Sequence, residues 1–393
     1  MNRLNRYFDY NATTPLDPQV LNVIKENLYI FANPSSHHFL GYEAGEKVER
    51  AREQVAHLIG ASPNNIFFTS GGTEANNMVI KGWLHNFLGQ PIHIITSAIE
   101  HPSVLEVFRY FERRGAVVTY VPVDSNGYIN INQLKNEIRE ETRLISVMFA
   151  NNEIGTIQPI KEIAKIAKEN NIFFHTDATQ AVGKIPINVI GLEVDALSFS
   201  GHKFYGPKGI GVLYLKNPDK IEPLLHGGGQ EKGIRSGTEN LLAIVGLAKA
   251  CEIADQEIYE QRQHCRHLRQ LFIELIREEI PYCSINGSED PLRTLPNTIN
   301  VCLSDVRGEA VATMLSEVYG IAVSTGSACS TRKKNLSHVL KAIGLTEEQI
   351  RSSIRISFGK FTTDVDIQDF VQCLKTTVFH LRNILPREIQ GVK

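Results

Sequence analysis

The first 250 residues contain no cysteine, and the six that follow (Cys251, Cys265, Cys283, Cys302, Cys329 and Cys373) include no CxxC pair. Such spacing argues against a disulfide framework and against a cysteine zinc site, so a reducing, cytoplasmic setting without bound metal is expected. Nor does any apolar run reach the roughly 18 residues of a membrane span. The opening stretch, Met1 to Asp9, lacks the apolar core of a secretory signal. With a formal net charge of −2, the chain offers no electrostatic case for nucleic acid or an anionic membrane as its main partner. What remains is an ordinary globular composition over 393 residues, long enough for two domains.

Strand, loop and helix alternate through the first half. Glu43 to Ile59 is an amphipathic helix stopped by Gly60, and Ile66 to Phe68 is a short strand running into Thr-Ser-Gly-Gly-Thr at 69–73. Further strands are expected at 92–96, 117–121, 144–149, 172–174, 196–199 and 212–215, with helices between most of them. That rhythm predicts an α/β fold whose mainly parallel sheet is covered by helices on both faces, with ligands at the carboxyl ends of its strands. After residue 216 come a glycine-rich loop (226–240), read as structureless, and a long helix from about 239 to 279. Strands near 299–303 and 354–358 suggest a smaller α+β domain. The expected division is a large domain over 16–260 and a small one made of 1–15 and 261–393.

Chemistry-bearing residues fall at the predicted strand ends. Ser70-Gly71-Gly72-Thr73 opens a helix, where glycine lets backbone amides approach an anion; it equally suits a plain turn with a threonine cap. Asp177, just past the 172–174 strand, suits a ring N–H or a helix cap. His101 follows a strand, where an imidazole can stack on a flat ring, move protons or simply be buried. Lys203, in Ser-Phe-Ser-Gly-His-Lys, reads alone as a turn lysine or as a Schiff-base amine. Their order decides more than any one of them. Pyridoxal phosphate needs a helix N-terminus for its phosphate, an acid for its pyridinium nitrogen and a lysine for its aldehyde. Arg355, charged within an apolar strand, suits a carboxylate or a structural ion pair. Cys329 lies among small residues and is followed by Arg332, Lys333 and Lys334, which favour a thiolate.

The chain resembles the class I cysteine desulfurases, the NifS/IscS-like family of fold-type-I pyridoxal phosphate enzymes with an aspartate-aminotransferase-like fold. The resemblance rests on DYNATTPLDP (9–18), NPSSHHFLG (33–41), FTSGGTEANN (68–77), EHPSVL (100–105), NNEIGTIQPI (151–160), HTDATQAVGK (175–184), SFSGHKFYGPKGIG (198–211), GGGQEKGIRSGTEN (227–240), STGSAC (324–329) and SSIRIS (352–357). It implies a cofactor covalently bound to Lys203, with Asp177 on the ring nitrogen, His101 stacked on the ring and Gln180 on the ring hydroxyl. Gly72, Thr73, Ser200 and His202 would hold the phosphate, and Thr238 would reach the phosphate of a second subunit in a homodimer. Asn152, which also borders the cofactor, Arg355 and Asn33 would receive the carboxylate of L-cysteine. Cys329 would accept the sulfur and pass it to an acceptor protein for iron–sulfur cluster assembly or nucleic-acid thio-modification. Selenocysteine lyase, or another fold-type-I lyase or aminotransferase, is the alternative. The stretch after Cys329 and Lys360, where arginine is common, depart from the family pattern.

Overall fold

The computed structural model describes residues 6–325 and 336–384. Ten strands are assigned among them: β1 (Ile66–Thr69), β2 (His93–Ser97), β3 (Val117–Val121), β4 (Thr142–Ser146), β5 (Phe173–Asp177), β6 (Ala196–Ser200), β7 (Gly211–Leu215), β8 (Cys283–Asn286), β9 (Thr298–Leu303) and β10 (Ser353–Ser357). The helices are α1 (Pro18–Glu26), α2 (Phe39–Ile59), α3 (Gly72–Leu84), α4 (Pro102–Glu112), α5 (Ile131–Asn136), α6 (Ile160–Glu169), α7 (Val189–Leu192), α8 (Leu241–Glu279), α9 (Gly308–Tyr319), α10 (His338–Ala342), α11 (Glu347–Arg351) and α12 (Asp364–Ile384).

Seven strands form one sheet in the order β1-β7-β6-β5-β4-β2-β3. Six of them point the same way, while β7 is antiparallel to both of its neighbours, β1 and β6. Most of these strands are buried along their whole length because helices cover both faces. On one face α2, α6 and the first half of α8 pack with Ile66, Ile145 and Leu197. On the other, α3 and α4 pack with Phe67, Ile94 and Leu213. A second, antiparallel sheet has the order β10-β9-β8 and a separate core that takes in Phe8 and residues from the far end of α8, α9 and α12. The helix α8 is one uninterrupted shaft of 39 residues, so Leu241–Ala254 joins the first core and Cys265–Ile276 the second.

Two expectations need correction. Strand β5 does not stop at Phe174 but continues through His175 and Thr176 to Asp177. Burial of His175 is made tolerable by two hydroxyl partners, Ser146 at 2.9 Å and Ser198 at 3.0 Å, on the flanking strands. The loop at 226–240 is not structureless either. It contains a 3₁₀ turn (Gln230–Gly233) whose buried Glu231 accepts from both Nη atoms of Arg52 (2.8 and 2.9 Å) and from the Phe68 amide (2.7 Å). Arg235 adds a second tie, 2.7 Å from Glu74 at the start of α3.

Candidate active site

Polar residues converge at the carboxyl ends of β4, β5 and β6. Asp177 ends β5, nearly fully buried, with Oδ2 accepting from Asn76 Nδ2 (2.7 Å) and Oδ1 from the Thr179 amide (2.9 Å). Lys203 lies in the 3₁₀ turn (Gly201–Lys203) that follows β6, and its Nζ donates to the carbonyls of Asn11 (2.7 Å) and Ala12 (2.8 Å). Gln180 donates through Nε2 to the same Asn11 carbonyl (3.0 Å) and accepts through Oε1 from Lys184 (2.7 Å).

His101 caps α4. Its Nδ1 accepts from the Ser103 amide at 3.1 Å, so in the neutral ring the hydrogen sits on Nε2. Burial holds its pKa below the ordinary histidine value; Asp177 opposes that shift and Lys203 reinforces it. In its resting form His101 is therefore a neutral ring with a hydrogen-bond donor at Nε2. His202 is held through Nδ1 against Thr13 (3.1 Å), and burial, with Lys203, Lys208 and Lys184 nearby, pushes its pKa down to about 4.

The turn before α3 has the features of an anion cradle. Gly71 precedes the helix with no side-chain cap; Thr69 Oγ1 takes the Gly71 amide (3.3 Å) and Glu74 Oε2 the Ser70 amide (3.1 Å), while among the described residues no side chain takes the Gly72 or Thr73 amide. A Cβ on Gly72 would stand 2.9 Å from Thr179 Oγ1, so only glycine brings the backbone this close. Thr73 is exposed beside it, and Ser200 is buried at the end of β6.

Arg355, on β10 of the second sheet, reaches across to Asn152 beyond β4. Nη2 pairs with Asp9 at 2.6 Å and Nη1 donates to the Asn152 carbonyl at 3.1 Å. Its Nε is buried without a hydrogen-bond partner among the described residues. Ser324 pairs with Arg355 in an antiparallel bridge. Cys329 lies outside the described residues. Asn33 and Thr238 sit on exposed loops, and the hydrogen bonds joining the other candidates do not include them.

Three residues that the sequence did not single out complete the arrangement. Asn11 accepts Lys203 and Gln180 through its backbone carbonyl, and its Nδ2 reaches the Asn152 carbonyl (3.1 Å) and Thr298 (2.8 Å). Asn76 orients Asp177. Lys184 is an amine enclosed within ATQAVGKIPI, and that apolar context is the signal that could have marked it. Among the described residues no group of three or more His, Cys, Asp or Glu side chains is arranged to hold a metal.

A buried aspartate, a strand-end lysine and a glycine-built anion cradle on this sheet define a fold-type-I enzyme of pyridoxal phosphate, and the residues present fit that cofactor. The aminotransferase class-V family model matches residues 6–370. Cysteine desulfurase IscS of Dictyoglomus turgidum is 47% identical over 381 residues, covering 97% of this chain and 96% of the relative. The solved structure of a NifS-like protein superposes with a TM-score of 0.89 at 40% identity, over 95% of this chain and 99% of its own. SspA in complex with cysteine superposes at 0.79 with 39% identity, over 91% and 100%. The chain belongs to the class I, NifS/IscS-like cysteine desulfurases within that family.

Proposed function

We propose that the protein removes sulfur from L-cysteine, giving L-alanine and a persulfide on Cys329. The persulfide then passes to an acceptor protein for iron–sulfur cluster assembly or thio-modification of nucleic acid. Bound here, pyridoxal phosphate supplies an electron sink for the charge left on the substrate Cα when its proton departs. Lys203 would hold the cofactor covalently and would be the amine that moves the Cα proton; His101 Nε2 would be a nearby hydrogen-bond donor. Asp177 would keep the ring nitrogen protonated, Gln180 would donate to the ring hydroxyl, and Gly72, Thr73, Ser200 and His202 would hold the phosphate. Arg355, with Asn152 and Asn33, takes the substrate carboxylate.

Cys329 thiolate then attacks the substrate sulfur. An S–S bond forms, the C–S bond breaks, and its electron pair stays with carbon, which takes up a proton to become alanine. The observation that carries this reading is the backbone bridge between Ser324 and Arg355. It anchors the segment leading to Cys329 on the residue assigned to the substrate carboxylate, and five residues extend at most ~18 Å.

A homodimer completes the site, with Thr238 serving the phosphate of the other subunit. Supporting this, the stretch that carries Asn33 exposes Tyr29 (89%), Phe31 (83%) and Phe39 (77%), an apolar surface suited to a second copy. A cytoplasmic setting keeps the acceptor thiol reduced.

Replacing the nucleophile tests the reaction. Cys329→Ala is expected to lower alanine release from cysteine at least about a hundredfold while leaving the visible absorption of the holoenzyme unchanged. Full turnover by that variant would assign the chain to a lyase or aminotransferase chemistry that needs no protein thiol.

A further inference from the structure

Lys184 makes two hydrogen bonds, to Gln180 Oε1 at 2.7 Å and to Asn11 Oδ1 at 3.1 Å. Neither acceptor can be an amide nitrogen. Asn11 Nδ2 is committed to the Asn152 carbonyl and to Thr298, so Oδ1 is the atom facing Lys184. Gln180 Nε2 is committed to the Asn11 carbonyl, which only accepts. An amine provides the two hydrogens required whether charged or neutral. The Gln180 amide is thus held at both ends, and one Nε2 hydrogen is left over.

We propose that Lys184 is a positioning residue for the cofactor: it locks the Gln180 amide so that N–H, and not C=O, faces the ring hydroxyl. This rests on the assignment of Gln180 to that hydroxyl. A flipped amide would set a carbonyl oxygen against the ring oxygen, two acceptors in contact. The ring oxygen carries more negative charge when the visible chromophore is deprotonated. An N–H donor therefore favours that form and lowers the titration midpoint.

Lys184 is also close enough to Lys203, Cys265 and Arg355 to act on the site by charge alone. A double-mutant comparison separates the two routes. In purified holoenzyme, Lys184→Met is expected to raise the pH midpoint of the visible absorption by about 1 unit and to weaken cofactor rebinding by the apoprotein about tenfold. Gln180→Ala should raise the midpoint by a similar amount. Adding Lys184→Met to Gln180→Ala should then change little further, because there is no amide left to orient. Thermal unfolding of each variant establishes that it is folded, and Lys184→Arg, which keeps the donors, should restore part of the shift. An equal shift by Lys184→Met with and without Gln180 would overturn the proposal in favour of a direct charge effect. No shift by Lys184→Met, where Gln180→Ala shifts, would overturn it as well. No shift by Gln180→Ala would remove the assignment of Gln180 itself, and the proposal with it.

Discussion

Glu100 is a carboxyl with no exposure to water, one residue before His101. Its Oε1 accepts from Ser97 and from the Met148 amide, while Oε2 has no partner among the described residues. Desolvation raises its pKa to about 8, and Asp177 adds to the shift. In the unfolded chain the same group ionises near 4.5, so between those values the folded state holds a proton that the unfolded state has lost. Stability contributed by Glu100 therefore falls as pH rises through that window. Between pH 6.5 and 8 the loss is roughly 2 kcal/mol. Glu153, raised to about 7 by burial, acts in the same direction; Lys184, driven well below the lysine range by burial, acts in the other. Comparing variants cancels those shared contributions. Urea unfolding should show Glu100→Gln gaining about 2 kcal/mol on the unsubstituted protein when both are taken from pH 6.5 to 8. At this scale the sequence marked Lys203, Asp177, His101 and Arg355 as candidates, because each puts a reactive or charged group where an apolar strand pattern breaks. Asn11 was hidden for a physical reason: it holds Lys203 and Gln180 through a backbone carbonyl, which every residue possesses.

Among the elements, β7 shows how a strand can shape the cradle without touching a ligand. A Cβ at Gly211 would lie 2.5 Å from the Gly71 carbonyl carbon and 2.6 Å from its Cα. Gly211→Ala must therefore push the turn before α3, and cofactor affinity measured by reconstitution of the apoprotein should fall about tenfold. Gly191→Ala, whose added Cβ meets Asn188 only at ordinary contact distance (3.5 Å), should leave it unchanged. The long helix α8 was legible because its periodic apolar residues continue over so many turns. Strand order and the antiparallel direction of β7 were not, since pairing partners leave no mark on a strand buried on both faces. The apparent looseness of 226–240 misled for another reason. Its glycines advertise a loop, whereas its anchor is one carboxylate, Glu231, whose partner Arg52 lies 179 residues away.

For the whole molecule, the exposed aromatic stretch before and into α2 sets a test of assembly. If the proposed homodimer forms through this stretch, Phe31→Asp should shift the protein from dimer to monomer in sedimentation velocity. Cofactor should be lost with it, because Thr238 would no longer reach the second site. A monomer that kept its cofactor fully would detach Thr238 from phosphate binding. The two cores are joined by α8 and by the residues around Asn11, which meet β9, β10 and the Lys203 turn together. This seam has a consequence for the order in which the site is made. Tyr7 bridges to Ala322, Asp9 bridges to Ser357, and the Asn11 amide bonds Ser357 Oγ across 346 positions. During synthesis, Asp9 and the Asn11 amide leave the ribosome long before their β10 partner Ser357. Long-range closure of this kind is slow and comes late. A chain made only as far as β9 can thus set Asn11 against Gln180 and Lys203 and still lack the Ser357 bonds that fix the stretch, so the seam closes only once β10 has been made.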